Sequence, residues 1–254
     1  MDNLYYVLIV QSVVIFSIVI SIIFIVFKLL RKSKFTKKDY LLILILILCT
    51  YMYIPFAFYR KGLENNYEEK YQDALKYYDK AYKLSFLPFE KRMFKFDTST
   101  IYYFYDKNGN QAIEDLEYAL NGDYSHPVFL PQLYFLKGDY NKVADIENIA
   151  ENSEHYYSAL SFIMQDEYAA ALDILLRKEQ KNYNNFMLIS ALYNELNEPE
   201  TASKYHQTAI DEFSNINFAD SITEDNKRQE LMTYANIQTF KEFINNQRKA
   251  YQFE

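Results

Sequence analysis

Residues that could carry catalysis or hold a metal ion are few and scattered in this chain. The three histidines, His126, His155 and His206, are separated by 29 and 51 residues. None of them forms the H-E-x-x-H pattern, in which two histidines share one helix face and bind zinc. The single cysteine, Cys49, can form neither an intramolecular disulfide nor a cysteine metal site. These residue types therefore predict no metal site.

The carboxylates also lack the sequence context of an active site. The adjacent pairs Glu68-Glu69 and Asp166-Glu167 fall where helices are expected to end or turn, and acidic residues there usually interact with the helix dipole and with water. The sequence contains no G-x-S-x-G motif, no phosphate-binding loop and no dinucleotide fingerprint. We therefore predict that the protein is not an enzyme and has no catalytic residue, no cofactor and no small-molecule substrate. An enzyme with a cryptic site, such as a cell-envelope hydrolase, is the alternative.

The composition predicts an all-α protein. The 254 residues include only 4 glycines and 5 prolines, whereas hairpins and phosphate-binding loops need glycine at special backbone angles. The 26 tyrosines and 20 phenylalanines fit either a binding groove or packing between helices. Long helices joined by tight turns are therefore expected.

Charge divides the chain into a basic beginning and an acidic remainder. Residues 1–61 carry eight Lys or Arg and two Asp, whereas residues 62–254 carry 19 basic and 32 acidic residues, a net charge of −13. An acidic surface repels a phosphate backbone. A nucleic acid is therefore not expected as a partner.

Two long apolar runs lie in the basic part. Residues 4–27 and 40–59 contain no charged side chain, and each run exceeds or matches the roughly 20 residues that a helix needs to cross a bilayer. They predict two transmembrane helices, a membrane anchor over residues 1–61 and an integral protein of the plasma membrane. The alternative is a helical hairpin buried in a soluble core.

The segment between the two runs predicts the orientation. Residues 28–39 contain six basic residues, which are Lys28, Arg31, Lys32, Lys34, Lys37 and Lys38. Because Lys and Arg are retained on the cytoplasmic side, this loop is predicted to be cytoplasmic, with both termini and the C-terminal domain extracytoplasmic. The aromatic residues from Tyr51 to Tyr59 would then lie at the outer interface as an aromatic belt. Arg60 and Lys61 favour the opposite orientation, with the C-terminal domain in the cytoplasm.

The acidic part shows a repeated helical pattern. Ala74, Tyr78 and Ala81 are four and three residues apart, so they share one face of a helix that another helix can approach closely. Comparable triplets begin 38, 31, 28 and 31 residues further along in turn. The residues predicted to pack between helices are Ala74, Tyr78, Ala81, Ala112, Leu116, Ala119, Ala171, Ala202 and Ala209. His206 occupies the second position of the last triplet, which predicts a packed histidine.

These triplets make the chain resemble the tetratricopeptide repeat, a helix–turn–helix unit of 34 residues. The family's turn, a small residue with Tyr two positions later, is visible as Gly138-Asp139-Tyr140 and more loosely as Asp166-Glu167-Tyr168. The family's Trp is missing, and its Leu-Gly pair is reduced to Lys61-Gly62. The resemblance implies an α-solenoid of about five degenerate helix pairs over residues 62–213.

A further helix is predicted after the repeats. Residues 224–251 carry an apolar stripe on an otherwise charged segment, and the terminal repeats of a solenoid need a cap with a polar outer face. Residues 214–254 are therefore predicted to form a C-terminal capping helix. A docking helix for a partner is the alternative.

The repeats predict a binding function. A membrane-anchored scaffold or adaptor that binds a protein or peptide at the membrane surface is the leading hypothesis, because solenoids present an extended concave surface. In this family the first helices line that surface, and the candidate contacts are Tyr102, Tyr103, Tyr134, Tyr157 and Tyr193. Packing between adjacent helices would explain these tyrosines equally well. The alternative function is a small membrane subunit of a secretion, export or immunity assembly, with its transmembrane helices as the interface.

Overall fold

Helices make up most of the protein in its computed structural model, which describes residues 16, 19–20, 22–28, 36–150, 155–218 and 221–253. These residues contain no strand, so the predicted all-α class is confirmed. Residues 22–28 are helical, and a π-helical segment covers Tyr102–Asp106. The longer helices are α1 (Lys37–Tyr67), α2 (Tyr71–Leu84), α3 (Pro88–Ile101), α4 (Gly109–Leu120), α5 (Leu130–Lys137), α6 (Tyr140–Ile149), α7 (Tyr156–Met164), α8 (Tyr168–Arg177), α9 (Tyr183–Glu195), α10 (Pro199–Ser214), α11 (Ser221–Thr233) and α12 (Ile237–Ala250).

Short polar side chains begin several of these helices. The first backbone N–H groups of a helix have no partner within it, and an Asn or Asp oxygen just before the helix can accept from one of them. Asn108 accepts from the N–H of Gln111 at 3.2 Å to begin α4, and Asn236 accepts from Thr239 at 3.1 Å to begin α12. The turn signals of the sequence thus become helix caps.

The chain divides into two units, Met1–Ile101 and Tyr102–Glu254. In the first unit, α1 packs on α2 and α2 packs on α3. Its core consists of seven buried side chains, which are Phe56, Tyr59, Ala74, Tyr78, Ala81, Phe94 and Ile101. In the second unit successive helices pack as pairs, α5 with α6, α7 with α8 and α9 with α10. Packed adjacent helix pairs are compatible with a helical-repeat fold.

The membrane placement predicted from the sequence is wrong. Among the residues described, no helix combines the length and the apolar character that crossing a membrane requires. The second predicted span lies within α1, which is 31 residues long and continues past the apolar run through Arg60, Lys61 and Glu64. Most of the first predicted span lies outside the described residues. The integral two-span protein, with a cytoplasmic loop and extracytoplasmic repeats, is therefore not retained.

Part of the aromatic end of the second run packs in the core of the first unit. Tyr51 stacks on Phe86 with ring centroids 5.7 Å apart, and the Tyr59 ring lies 4.9 Å from that of Phe94. Phe56 and Tyr59 are buried in the core. Packing therefore accounts for Phe56 and Tyr59, whereas Tyr51 stays about half exposed.

The basic residues before α1 are only partly described. Lys28 forms an ion pair with Asp39, and this contact holds the pKa of Asp39 at about 2. Asp39 also accepts from the backbone N–H of Thr36, which begins α1. Lys37 and Lys38 are exposed in the first turn of α1. Arg31, Lys32 and Lys34 lie outside the described residues.

The end of the chain contains two helices where the sequence predicted one. α11 ends at Thr233 and α12 begins at Ile237. Asn236 has an extended backbone and caps α12 with its side chain, so the local hydrogen bonding of Asn competes with a continuous helix.

Candidate functional site

Five turns with one geometry lie between the helices of successive pairs. Each contains a residue with a left-handed backbone, and these residues are Glu69, Lys107, Gly138, Asp166 and Asn197. They are 38, 31, 28 and 31 residues apart, which equals the spacing of the triplets found in the sequence. We number the pairs in chain order: α1 with α2, the π-helical segment with α4, α5 with α6, α7 with α8, and α9 with α10.

The turns share their hydrogen bonds as well. The next residue donates its N–H to the carbonyl five positions earlier in pairs 1, 3, 4 and 5, as Asp139 does to Tyr134 at 3.0 Å. In pair 2 the bond spans six residues, from Asn108 to Tyr102, because the π-helical segment adds one residue to its turn. The repeat is therefore a property of the backbone and not only of the sequence.

The predicted small residues occupy equivalent places in this geometry. Ala74, Ala112, Val143, Ala171 and Ala202 each donate an N–H to the carbonyl of the residue that caps the second helix of their pair, and none is more than 1% exposed. Tyr78, Ala81, Leu116 and Ala209 are also buried, and Ala119 is half-buried. His206 is exposed, so the predicted packed histidine is not found; Tyr205 beside it makes the ring contacts of α10.

The residue that begins the second helix breaks the repeat in pair 2. That residue is Tyr71, Tyr140 and Tyr168 in pairs 1, 3 and 4, and Pro199 in pair 5, but it is Gly109 in pair 2. A side chain at Gly109 would meet the ring of Phe253, whose Cζ would lie 2.1 Å from the added Cβ. An aromatic ring from the end of the chain therefore occupies the space that a side chain at this position would take.

The chain reaches Gly109 through a segment that we call the C-terminal strap (residues 237–253). Its helix α12 packs against α5 and α9, which are the first helices of pairs 3 and 5. Ile237, Phe240 and Ile244 on its inner face belong to the hydrophobic core of the second unit. The face lined by first helices, which the resemblance assigns to partners, is thus covered here by the chain itself.

Polar contacts attach the strap first to the turn of pair 4 and then, further along the strap, to the turn of pair 3. Lys241 forms an ion pair of 2.5 Å with Asp166 and lies over the ring of Tyr168 at 5.6 Å. Further along, Arg248 donates to the carbonyl of Phe135 at 3.4 Å and to the hydroxyl of Tyr140. The Lys241 ammonium lowers the pKa of Asp166, which keeps that carboxylate charged.

The last contacts of the strap are at the turn of pair 2. The carbonyl of Tyr251 accepts from the N–H of Gly109 at 3.0 Å, and its hydroxyl accepts from the Lys107 ammonium at 3.1 Å. That ammonium also lies 4.7 Å from the centre of the Tyr251 ring. A backbone bond, a cation–π contact and an inserted ring converge on this one turn.

The five predicted contact tyrosines do not form one open surface. Tyr103 is buried, stacks on Phe129 at 4.3 Å and lies 5.5 Å from Tyr251 of the strap. Tyr157 is half-buried with its ring 6.0 Å from Phe135. The other three are placed as follows: Tyr102 is half-buried in the π-helical segment, Tyr134 donates its hydroxyl to Glu117 of α4, and Tyr193 stacks on Tyr205 of α10 at 5.4 Å.

Sequence reasoning missed the residues that hold the strap, which are Lys241, Arg248, Tyr251, Phe253 and Gly109. One signal was available, because Gly109 stands where three other repeats have Tyr after the turn. A comparison with protein-family models and with curated proteins finds no match to this chain. The candidate site is therefore defined by its geometry alone.

Proposed function

We propose that the protein is a tetratricopeptide-like scaffold that binds a protein or peptide on the face lined by the first helices of its second unit. The observation that carries this proposal is the strap itself, because a helix of defined chemistry already lies on that face. Its apolar residues Ile237, Phe240 and Ile244 follow the three- and four-residue spacing by which grooves recognise amphipathic helices. The fold supplies the surface, and the strap indicates which ligand fits it.

Charge supports a basic partner. The second unit contains 12 basic and 25 acidic residues, a net charge of −13, whereas residues 62–101 contain seven of each sign. The strap carries Lys241, Arg248 and Lys249 against a single Glu242. A basic helix with an aromatic face therefore complements the acidic unit in both charge and packing.

Binding to matched peptides tests this proposal. The intact chain is titrated with fluorescent helical peptides that have the same apolar face but carry either Lys and Arg or Glu on the other face, and anisotropy is measured. The basic peptides should bind at least about tenfold more tightly, since like charges disfavour the acidic ones. Equal binding, or no binding of either peptide to any form of the chain, would overturn the proposal.

The position of binding is tested with photoreactive residues. Phe104 is exposed, and its ring lies 4.6 Å from that of Tyr103, which lies 5.5 Å from Tyr251 of the strap. A photoreactive phenylalanine at this position should cross-link to the basic peptide. The matched control is Tyr118, an exposed aromatic residue on α4, the second helix of its pair. Cross-linking at Tyr118 and not at Phe104 would place the ligand on another face.

A further inference from the structure

We propose that the strap is a releasable latch that blocks the binding face, and that the partner is a helix ending in the same pattern, Arg-x-x-Tyr-x-Phe. The inference rests on the proposed function and names the ligand and the regulation of that site. It starts from the Gly109 notch, which we define as the space beside the Gly109 backbone that the ring of Phe253 fills. The notch is a site for one aromatic side chain delivered by a helix end.

The notch is built for a ring that comes from elsewhere in the chain. Phe253 is 144 residues from Gly109 in sequence, yet its ring atoms would lie 2.1 to 2.7 Å from a Cβ placed there. Any side chain at position 109 would therefore exclude Phe253. Tyr71, Tyr140 and Tyr168 stand at the equivalent position of pairs 1, 3 and 4, whereas in pair 2 a ring from another segment takes this place.

The end of the strap, past α12, is buried at the turn of pair 2. The inner face of α12 is buried with Phe240 fully inside the second unit. Beyond Ile244, Arg248 contacts the turn of pair 3, and Tyr251 and Phe253, which belong to the hydrophobic core of the second unit, contact the turn of pair 2. Phe253 is the last of these contacts, so the latch opens when its ring leaves the notch and α12 then lifts from the face.

Two features show that these contacts are imperfect. The Nε of Arg248 is buried and has no hydrogen-bond partner within the part of the chain that the structure describes, which is unfavourable for a guanidinium. Gln252 has a left-handed backbone with φ of 59°, at a position where Gly is the usual residue after a helix end. A partner helix can therefore compete with the strap if every N–H group of its arginine has an acceptor, or if it has Gly at the position equivalent to Gln252.

Amide hydrogen exchange in the intact chain measures opening of the latch. Gly109 begins α4, so its N–H has no partner within the helix and is bonded only to the carbonyl of Tyr251. We expect this amide to exchange at least about tenfold faster than that of Ala112, which is bonded within the same turn, because the latch opens more often than the unit unfolds. Equal exchange at the two amides would show that the strap is fixed structure.

Peptide binding gives the second measurement. The probe is a fluorescent peptide with the sequence of residues 240–253, added to the full-length chain. Phe253→Ala empties the notch and should raise the apparent affinity at least about tenfold, since affinity scales with the fraction of chains in which the site is open. Gln252→Gly favours the seated strap and should lower the affinity. Unchanged affinity in both variants would overturn the latch.

A variant in which the Gly109 notch is filled distinguishes the latch proposal from the proposed binding function. In the double variant Phe253→Ala, Gly109→Ala, the new methyl group occupies the notch and should abolish the gain in affinity. Both variants are compared by circular dichroism to establish that they fold, and Gly109 exchange in the wild-type chain provides a test that needs no variant. If peptide binding does not depend on Phe253 or Gly109, the latch proposal is wrong but the proposed function stands. If the peptide binds none of these chains, the proposed function is wrong as well.

Discussion

Single residues decide how closely the helices of this protein approach. Gly62 in α1 is buried against Tyr78 of α2, and a Cβ at Gly62 would lie 2.5 Å from Cε1 of that ring. Tyr78 is completely buried, so the ring has no free space into which it could move. Gly62, which belongs to the Lys61-Gly62 pair at the place of the family's Leu-Gly, therefore has a packing function in the first unit.

Replacing this glycine should destabilise the protein. Gly62→Ala would ordinarily stabilise a helix interior by about 1 kcal/mol, but overpacking against a fixed ring costs about 1–3 kcal/mol. We expect a net decrease in the free energy of unfolding, measured by urea denaturation. In a Tyr78→Leu background the same substitution should cost less, because the contact is gone. An equal cost in both backgrounds would exclude the contact as the cause.

A buried carboxyl group gives the first unit a dependence on pH. Asp97 of α3 is hydrogen-bonded to the hydroxyl of Tyr59, and burial raises its pKa to about 6 from an ordinary value of 3.8. Its Oδ2 is buried without a hydrogen-bond partner among the described residues. The folded protein therefore favours the protonated form of Asp97 more than the unfolded chain does.

This raised pKa predicts that stability falls with increasing pH. The contribution of Asp97 is fully present below about pH 4 and is lost as the pH rises through about 6, to a total of about 3 kcal/mol. Asp97→Asn keeps a neutral side chain and should remove this loss. Urea denaturation of both proteins between pH 4 and pH 7.5 gives the difference, in which other titrating groups cancel. A difference that does not change with pH would contradict the assignment.

At the scale of elements, the N-terminus of one helix is capped by a side chain of the preceding helix. The residue before α7, His155, has a left-handed backbone and does not cap the helix with its side chain. Glu147 of α6 accepts from the N–H groups of Tyr157 at 3.0 Å and Ser158 at 2.9 Å instead. A buried carboxylate thus replaces the missing cap and favours the positive end of the helix dipole.

Removing that carboxylate should loosen the start of α7. We expect Glu147→Ala to lower the free energy of unfolding by about 2 kcal/mol, because two buried N–H groups lose a charged acceptor. Glu147→Gln, which keeps one acceptor oxygen, should cost less. Asp145→Ala serves as control, since Asp145 is exposed on the same helix. Equal effects of the substitutions at 145 and 147 would show that the cap contributes nothing.

The elements also show which parts of the fold the sequence could predict. The register of the helix pairs was readable because a small residue is required wherever two helices approach closely, and Ala74, Ala112 and Ala202 mark that place. The apolar run at 40–59 was misleading because it does not show that the helix continues through Arg60, Lys61 and Glu64, or that its end at Phe56 and Tyr59 belongs to the core of the first unit. The strap was not predictable, since the apolar stripe of α12 shows that one face is buried but not which surface covers it.

At the scale of the whole molecule, charge is distributed very unevenly. The acidic excess of residues 62–254 lies entirely in the second unit, because residues 62–101 are balanced. Such a field raises the association rate of a basic ligand and is screened over about 10 Å at 0.1 M salt. The buried inner face of α12, in contrast, packs through apolar contacts that moderate salt leaves unchanged.

Salt should therefore affect how fast a ligand binds more than how slowly it leaves. We expect the association rate of the basic 240–253 peptide with the Phe253→Ala chain to fall about tenfold between 20 mM and 500 mM NaCl, with a small change in the dissociation rate. Stopped-flow fluorescence measures both rates. The control is the same peptide with Gln at the positions of Lys241, Glu242, Arg248 and Lys249, whose association rate should change little because none of its side chains is charged. If salt slowed both peptides equally, electrostatic steering by the acidic unit would be excluded and the affinity would have to come from the apolar face alone.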